Sequence, residues 1–324
     1  MKKRIQLFLG FAVSGVALWA SLAHANMREL GHALWRGHYG WLIPIFLLMN
    51  VSFLLRAFFW KTTLSVRHRV SVGHLFSSVI VGVMANNILP FRAGELVRIA
   101  YTRQVEGIGA PILLTTVFME RFFDVTMLTF VIFIDLFLVG GSNLRTPAII
   151  LACVVGGFFL GGAILIRKHL SVFSVILGFF EKVPAFRDRL RKVLMTAVDG
   201  FSSLRSIRET FTLFLLSFGI WMGSLASCYF FLRIFDLSMD PVPMSLSLLL
   251  YTSLAFLVPA SPGGVGVVQL ATVYALRGYH VGDSRSLALS VVFQIVPFLF
   301  TMVAGWYFIH RDHFSLFGKR ERPA

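Results

Sequence analysis

The residues best suited to chemistry in this chain are charged side chains embedded in apolar sequence. Glu120-Arg121-Phe122-Phe123-Asp124 lies some ten residues into the apolar run 111–139. Glu120 and Asp124 are i,i+4 neighbours on one helical face, and Arg121 is i,i+3 to Asp124. An ionised group at that depth in hydrocarbon costs on the order of 3 kcal/mol, so such residues are paired and commonly mark a substrate or proton path. A purely structural pairing with Arg92 or Arg98 is the competing explanation.

A second group follows a break at Asn86-Asn87-Ile88-Leu89-Pro90. Arg92, Glu95 and Arg98 recur at helical spacing around Gly94, so that Arg92–Glu95 and Glu95–Arg98 can pair at i,i+3. They read either as a solvated, shallow helix at an interface or as a phosphate clamp, since guanidinium offers a planar fork of donors to phosphate oxygens. Asn86 and Asn87 can satisfy the broken backbone or touch a ligand. A third group is Ser261-Pro262-Gly263-Gly264-Val265-Gly266, with Gln269 one turn on. It is either a tight turn that lets helices pack, or a loop whose free N–H groups and following helix N-terminus face an anion such as a lipid phosphate.

The elements that must position these groups are membrane helices. Apolar residues make up 57% and charged residues 14% of the 324 residues, against about 25% charged in soluble domains. Mean hydropathy is +0.79. Several runs approach the roughly 20 residues that cross about 30 Å of hydrocarbon. The balance is basic, 30 Lys+Arg against 15 Asp+Glu, but the basic residues lie in loops between apolar runs. That placement fits topology signals and anionic head groups, not nucleic acid. Cys153 and Cys228 lie in apolar runs and read as packing residues. No H-E-x-x-H, G-x-x-x-x-G-K-[ST] or G-x-S-x-G pattern occurs, so no metal, cofactor, ATPase or hydrolase chemistry is expected. Arg56 and Arg233, near helix ends, read as snorkelling residues, and Gln294 with Pro297 as a kink in the last crossing.

Full crossings are expected at about 5–23, 41–60, 111–139, 147–166, 211–235 and 286–309. Lys2, Lys3 and Arg4 place the N-terminus in the cytoplasm. The first run reads as a retained helix; a signal peptide cleaved near Ala23-His24-Ala25 is the alternative and leaves the remaining topology unchanged. The richest basic segment, 167–210, must also be cytoplasmic, as must the C-terminal tail with Arg311, Lys319, Arg320 and Arg322. Those assignments hold only if 71–104 and 244–277 are hairpins broken at Asn86–Pro90 and Pro259–Gly264, entering from opposite faces. Oppositely inserted broken hairpins are a signature of inverted-repeat transporters. The predicted fold is therefore an all-α polytopic membrane protein, residues 1–324 forming one membrane domain. It has about six crossings plus two re-entrant hairpins. Segment 181–208, with Phe186, Leu190, Val193, Leu194, Ala197, Phe201 and Leu204 on one face, reads as an interfacial amphipathic helix or a linker helix.

The motifs from Asn86 through Pro90, Arg92, Gly94 and Glu95 to Arg98, then Glu120-Arg121-Phe122-Phe123-Asp124, then Val258 to Gly266, resemble the lysylphosphatidylglycerol synthase transmembrane-region family, also described as flippase-like. The resemblance covers essentially the whole chain. It implies a part in moving aminoacylated phosphatidylglycerol between leaflets of a bacterial inner membrane, with both termini cytoplasmic. The residues themselves suggest a site for an anionic head group between the hairpin tips, at Arg92, Arg98, Arg121 and the Gly263–Gly266 backbone, with Glu95, Glu120 and Asp124 balancing charge or carrying protons. In two-domain members a separate cytosolic domain attaches the amino acid; here the chain ends about a dozen residues after the last crossing, so lipid aminoacylation by this chain alone is not expected. Family members commonly carry Glu where Gln269 stands, which puts an acidic role there in doubt. The expected function is thus a lipid flippase or scramblase, not an enzyme. The alternatives are an integral-membrane lipid- or glycosyl-transferring enzyme, or a membrane subunit that holds a soluble partner or a second copy at its cytoplasmic face.

Overall fold

Long apolar runs have no way to satisfy their backbone in a lipid setting except by helix formation. The computed structural model describes residues 2–23, 25–64, 68–89, 93–138, 206–237, 240–258 and 261–315, with 149, 153, 156 and 157 singly. Among the described residues there are ten α-helices and no strand. In chain order they are α1 (Lys2–Leu22), α2 (Met27–Arg36), α3 (Leu42–Leu64), α4 (Val72–Ile88), α5 (Gly94–Glu106), α6 (Ala110–Leu138), α7 (Ile207–Ile234), α8 (Pro241–Ala255), α9 (Val267–Arg277) and α10 (Asp283–Arg311). The expected crossing at 147–166 and the amphipathic segment 181–208 fall outside the described residues, apart from single positions and the start of α7.

By length and composition, three described helices can cross a membrane: Tyr39–Leu64, Ile207–Ile234 and Asp283–Arg311. Helix α6 has the same 29 residues as α10. Its apolar character is interrupted by Glu120, Arg121, Asp124 and Asp135.

Helices α3 and α7 form an antiparallel seam built on small residues. A methyl group placed on Gly219 would lie 3.1 Å from Leu55 Cδ1, and one on Gly223 would lie 2.9 Å from Ser52 Oγ. Gly219 and Gly223 are four residues apart, the spacing that lets apolar helices approach backbone to backbone. This seam fixes the faces of α3 and α7 that turn toward α6.

The break at Asn86–Pro90 becomes a turn between antiparallel helices. His74 Nδ1 lies 2.7 Å from Glu106, and the Ser78 and Thr102 hydroxyls are 2.7 Å apart. At the tip the Gly94 N–H donates to Asn86 Oδ1 at 2.8 Å. At 17 and 13 residues, α4 and α5 span about 25 and 20 Å at 1.5 Å per residue. Each is shorter than a bilayer core of about 30 Å. Pro90, Phe91 and Arg92 lie outside the described residues.

Helices α8 and α9, with 15 and 11 residues, form a second antiparallel pair. Leu246, Leu248, Leu249, Leu250 and Leu276 bury against Val131 and Ile132 of α6 and Phe231 and Leu232 of α7. The turn between them runs against α1: the Ser261 N–H donates to Ser14 Oγ at 2.8 Å. Gly266 has φ +87°, and a methyl group there would lie 2.2 Å from the Ser14 carbonyl oxygen. Only glycine meets both constraints. The two hairpin tips meet, with Gly263 packed near the Asn87 carbonyl.

Helix α2 is an element the sequence reading did not anticipate. Asn26 caps it, its Oδ1 accepting the Arg28 N–H at 3.0 Å. Leu30, Ala33 and Leu34 face the core, while Trp35 faces out. Its apolar positions span too few residues to stand out among long apolar runs.

A methyl group on Gly94 would lie 2.1 Å from the Gly82 carbonyl oxygen, an overlap with backbone that side-chain rotation cannot relieve. Overpacking of this kind costs about 1–3 kcal/mol or more. Gly94→Ala is therefore expected to lower Tm in detergent, whereas Gly278→Ala, with open space around it, leaves Tm unchanged. Equal melting of the two variants would contradict the hairpin geometry.

Candidate functional site

Four helices converge on a cluster of six charges. Helix α6 contributes Glu120, Arg121 and Asp124, α5 contributes Glu95 and Arg98, and α3 contributes Arg56. Arg98 Nη1 donates to Glu120 Oε2 at 2.7 Å, and Arg121 Nη2 donates to Glu120 Oε1 at 3.0 Å. Arg56 Nη1 also donates to Glu120 Oε1 and lies 3.3 Å from Asp124 Oδ2. Arg121 reaches Asp124 at 3.2 Å and Glu95 at 3.4 Å. Three guanidinium groups thus face three carboxylates, with zero formal charge between them.

Two indoles complete the enclosure. Trp60 Nε1 donates to Glu120 Oε2 at 2.5 Å, and Trp221 Nε1 of α7 donates to Asp124 Oδ1 at 3.2 Å. The Arg98 guanidinium lies 3.8 Å above the Trp60 ring, a cation–π contact in a desolvated setting. Exposure grades across the cluster: the Glu120 side chain is 3% exposed and that of Arg121 is 41%. Glu120 is a sealed floor and Arg121 an accessible edge. Arg98 Nε and Nη2 and Arg121 Nε are buried without a hydrogen-bond partner among the described residues. Buried donors of this kind commonly signal a missing partner.

The sequence allowed Glu95–Arg98 pairing along one helix and, separately, pairing of the α6 charges with Arg98. The second is present and the first is not: Arg98 turns to Glu120 and Glu95 to Arg121, because buried charges there find closer counter-charges across the helix interface. Arg56 is also corrected. It does not snorkel toward a helix end but reaches sideways to both carboxylates of α6. Trp60 and Trp221 were not anticipated at all. The signal for Arg56 was its position, with eight residues of α3 still to follow, and the indole of Trp60 one turn beyond it on the same face. Arg233 lies near the end of α7, its guanidinium 5.5 Å from the Trp41 ring.

The second hairpin tip holds neutral groups. The Gly266 N–H donates to Gln269 Oε1 at 2.6 Å, Gln269 Nε2 to Gln294 Oε1 at 2.5 Å, and Gln294 Nε2 to the Gly263 carbonyl at 2.6 Å. The Gly264 N–H is taken by the Ser261 carbonyl at 2.9 Å. With the Ser261 amide bound to Ser14, three amides expected to be free for an anion are therefore engaged internally. Pro262 begins the short helical turn Pro262–Gly264. Asn87 Nδ2 donates to Thr301 Oγ1 of α10 at 3.1 Å. The first hairpin's tip is thus a shared wall, with the charged cluster beginning at Glu95 and the amide ring beyond Asn87.

Helices of this length around an internal set of compensated charges define a polytopic α-helical membrane protein. The lysylphosphatidylglycerol synthase TM-region family matches residues 7–305, and the chain belongs to that family. It is 24% identical to a UPF0104 membrane protein of Methanocaldococcus jannaschii over 70% of this chain and 94% of the relative. It is 25% identical to a UPF0104 membrane protein of Methanothermobacter thermautotrophicus over 90% of each. It is also 22% identical to glycosyltransferase AglD of Haloferax volcanii, over 94% of this chain but 54% of that protein. No solved structure matches the chain significantly.

Removing one member of a buried ion pair costs about 3–5 kcal/mol because it strands the other charge. Glu120→Met and Arg98→Met are each expected to lower stability in detergent strongly, and the double variant by clearly less than the sum. A coupling of about 0.5–3 kcal/mol is the range for residues in contact. Additive losses in thermal or denaturant melts would show that the two side chains do not interact.

Proposed function

We propose that this protein moves an anionic or aminoacylated lipid between the leaflets of a bacterial inner membrane, with both termini cytoplasmic and the two hairpins inserted from opposite faces. The observation that carries this reading is the charged cluster beside the meeting point of the hairpin tips, where Arg98 Nε and Nη2 lack a hydrogen-bond partner among the described residues and Arg121 is held to Glu95 only by a 3.4 Å ion pair. Arg121, at the accessible edge, is the first guanidinium a head-group phosphate meets. Phosphate oxygens compete with Glu95 and Asp124 for it, and the spare Arg98 nitrogens offer a second point of attachment. The displaced Glu95 carboxylate is then free to pair with the ammonium of an aminoacylated head group. Arg56, Trp60 and Trp221 hold the two α6 carboxylates in place while Arg121 exchanges partners. Half-length helices in both hairpins support re-entrant insertion, and the basic sequence segments 61–70 and 167–210 support the orientation.

A second reading is favoured by the glycosyltransferase relative, whose alignment covers nearly all of this chain. In it, the cluster carboxylates act as acid and base in group transfer to a membrane lipid. A new lipid product detected by mass spectrometry after incubation with purified protein favours this second reading.

The deciding experiment reconstitutes the protein in liposomes with head-group-labelled phosphatidylglycerol. A hydrogen bond to a charged group contributes about 1.5–3 kcal/mol. Arg121→Ala is accordingly expected to slow lipid movement about 10- to 100-fold while leaving a monodisperse protein. Arg98→Lys, which keeps the charge but loses the fork, falls in between. Wild-type rates in both variants would sink the assigned site.

A further inference from the structure

Glu95, Glu120 and Asp124 each lie within ion-pair distance of an arginine. Asp135, on the same helix as the last two, does not. It is 2% exposed and forms no ion pair among the described residues. Its Oδ1 accepts a hydrogen bond from Ser247 Oγ of α8 at 3.1 Å, and that hydroxyl lies 3.1 Å from the Tyr279 hydroxyl. Tyr279 stands in the turn after α9, between exposed Gly278 and exposed His280. Three oxygens therefore form a hydrogen-bonded row from an exposed turn to a buried carboxyl.

We infer that Asp135 is a proton-binding site, loaded through Tyr279 and Ser247, whose occupancy sets the docking of the second hairpin on α6 and so couples lipid movement to a proton gradient. The inference rests on the lipid-transport reading. With Asp135 ionised, the Ser247 O–H donates to its Oδ1, which leaves the Ser247 oxygen to accept the Tyr279 O–H. A proton arriving from water at the Tyr279 oxygen displaces that hydroxyl's own proton to Ser247, and Ser247 passes its proton to Asp135 Oδ1. Each hydroxyl ends with one proton, and the carboxylate has gained one.

The surroundings leave few other groups to hold the charge. From the second hairpin, Asp240, Tyr251 and Tyr279 are the titratable groups within reach of this row. Cys228 of α7 is buried in the apolar cluster that includes Val131 and Ile132, while Arg233 is stacked on Trp41. The stretch of α3 beside this end of α6, Leu42–Asn50, carries no titratable side chain, and Arg56 is taken by Glu120 and Asp124. Of the charged residues of α5, Glu95 and Arg98 pair with the other half of α6, and Glu106 pairs with His74 of α4. Among the described residues, an ionised carboxylate between α6 and α8 has no counter-charge there, which favours separation or hydration of the seam; a protonated one leaves the seam neutral and closed.

The test uses wild-type protein, Asp135→Asn and Asp135→Glu in liposomes containing head-group-labelled phosphatidylglycerol, with and without a pH difference of about one unit. With one proton carried per lipid, that difference shifts the steady-state leaflet ratio about tenfold. Asp135→Asn is expected to equilibrate lipid with no response to the gradient, and Asp135→Glu to restore the response. Wild-type exchange that ignores the gradient overturns the coupling and leaves the transport reading standing. An absence of lipid movement at every pH removes the transport reading and the coupling together. Infrared spectroscopy then decides the proton site alone: loss of a protonated-carboxyl band in Asp135→Asn supports it, and an unchanged band overturns it.

Discussion

Six ionised side chains in the interior of a membrane protein must neutralise one another, and that requirement organises the rest of the molecule. Glu120 cannot be stable at 3% exposure unless α3 and α5 bring Arg56 and Arg98 to it. The Gly219–Gly223 seam holds α3 against α7, and the small residues Gly82 and Gly94 hold α4 against α5. Helix positions far from the cluster are thus set by the need to close it. The indoles of Trp60 and Trp221 add a neutral donor to each of the two α6 carboxylates.

The two hairpin tips divide the labour between charge and neutrality. The first carries arginine and glutamate at its return helix; the second carries amides that donate and accept among themselves. Their contact at Asn87 and Gly263 places an ionic surface beside a neutral one.

Much of this was legible in the residues. Charges ten residues inside an apolar run announced the α6 cluster, because hydrocarbon tolerates them only when paired. Asn86–Pro90 and the Pro259–Gly264 stretch announced turns, because proline and glycine interrupt helices. What escaped were partners whose types are ordinary in membrane helices. Trp60 and Trp221 look like packing residues until their N–H groups are seen to donate. Arg56 is near enough to a helix end to suggest an outward reach. Asp135, a single carboxyl close to the end of α6, has no i,i+4 companion to mark it. Pairing across helices is invisible to spacing along one of them, and for the same reason the sequence also allowed Glu95 to pair with Arg98.

The zero sum of the cluster has an electrical consequence. The membrane potential acts on net charge, at about 2.3 kcal/mol per elementary charge per 100 mV. Three guanidinium groups and three carboxylates sum to no formal charge, so moving the cluster as a whole along the field does no electrical work. An anion seated on the cluster would add one uncompensated charge and make that displacement sensitive to the voltage. A ligand group of zero net charge seated there would leave the sum unchanged.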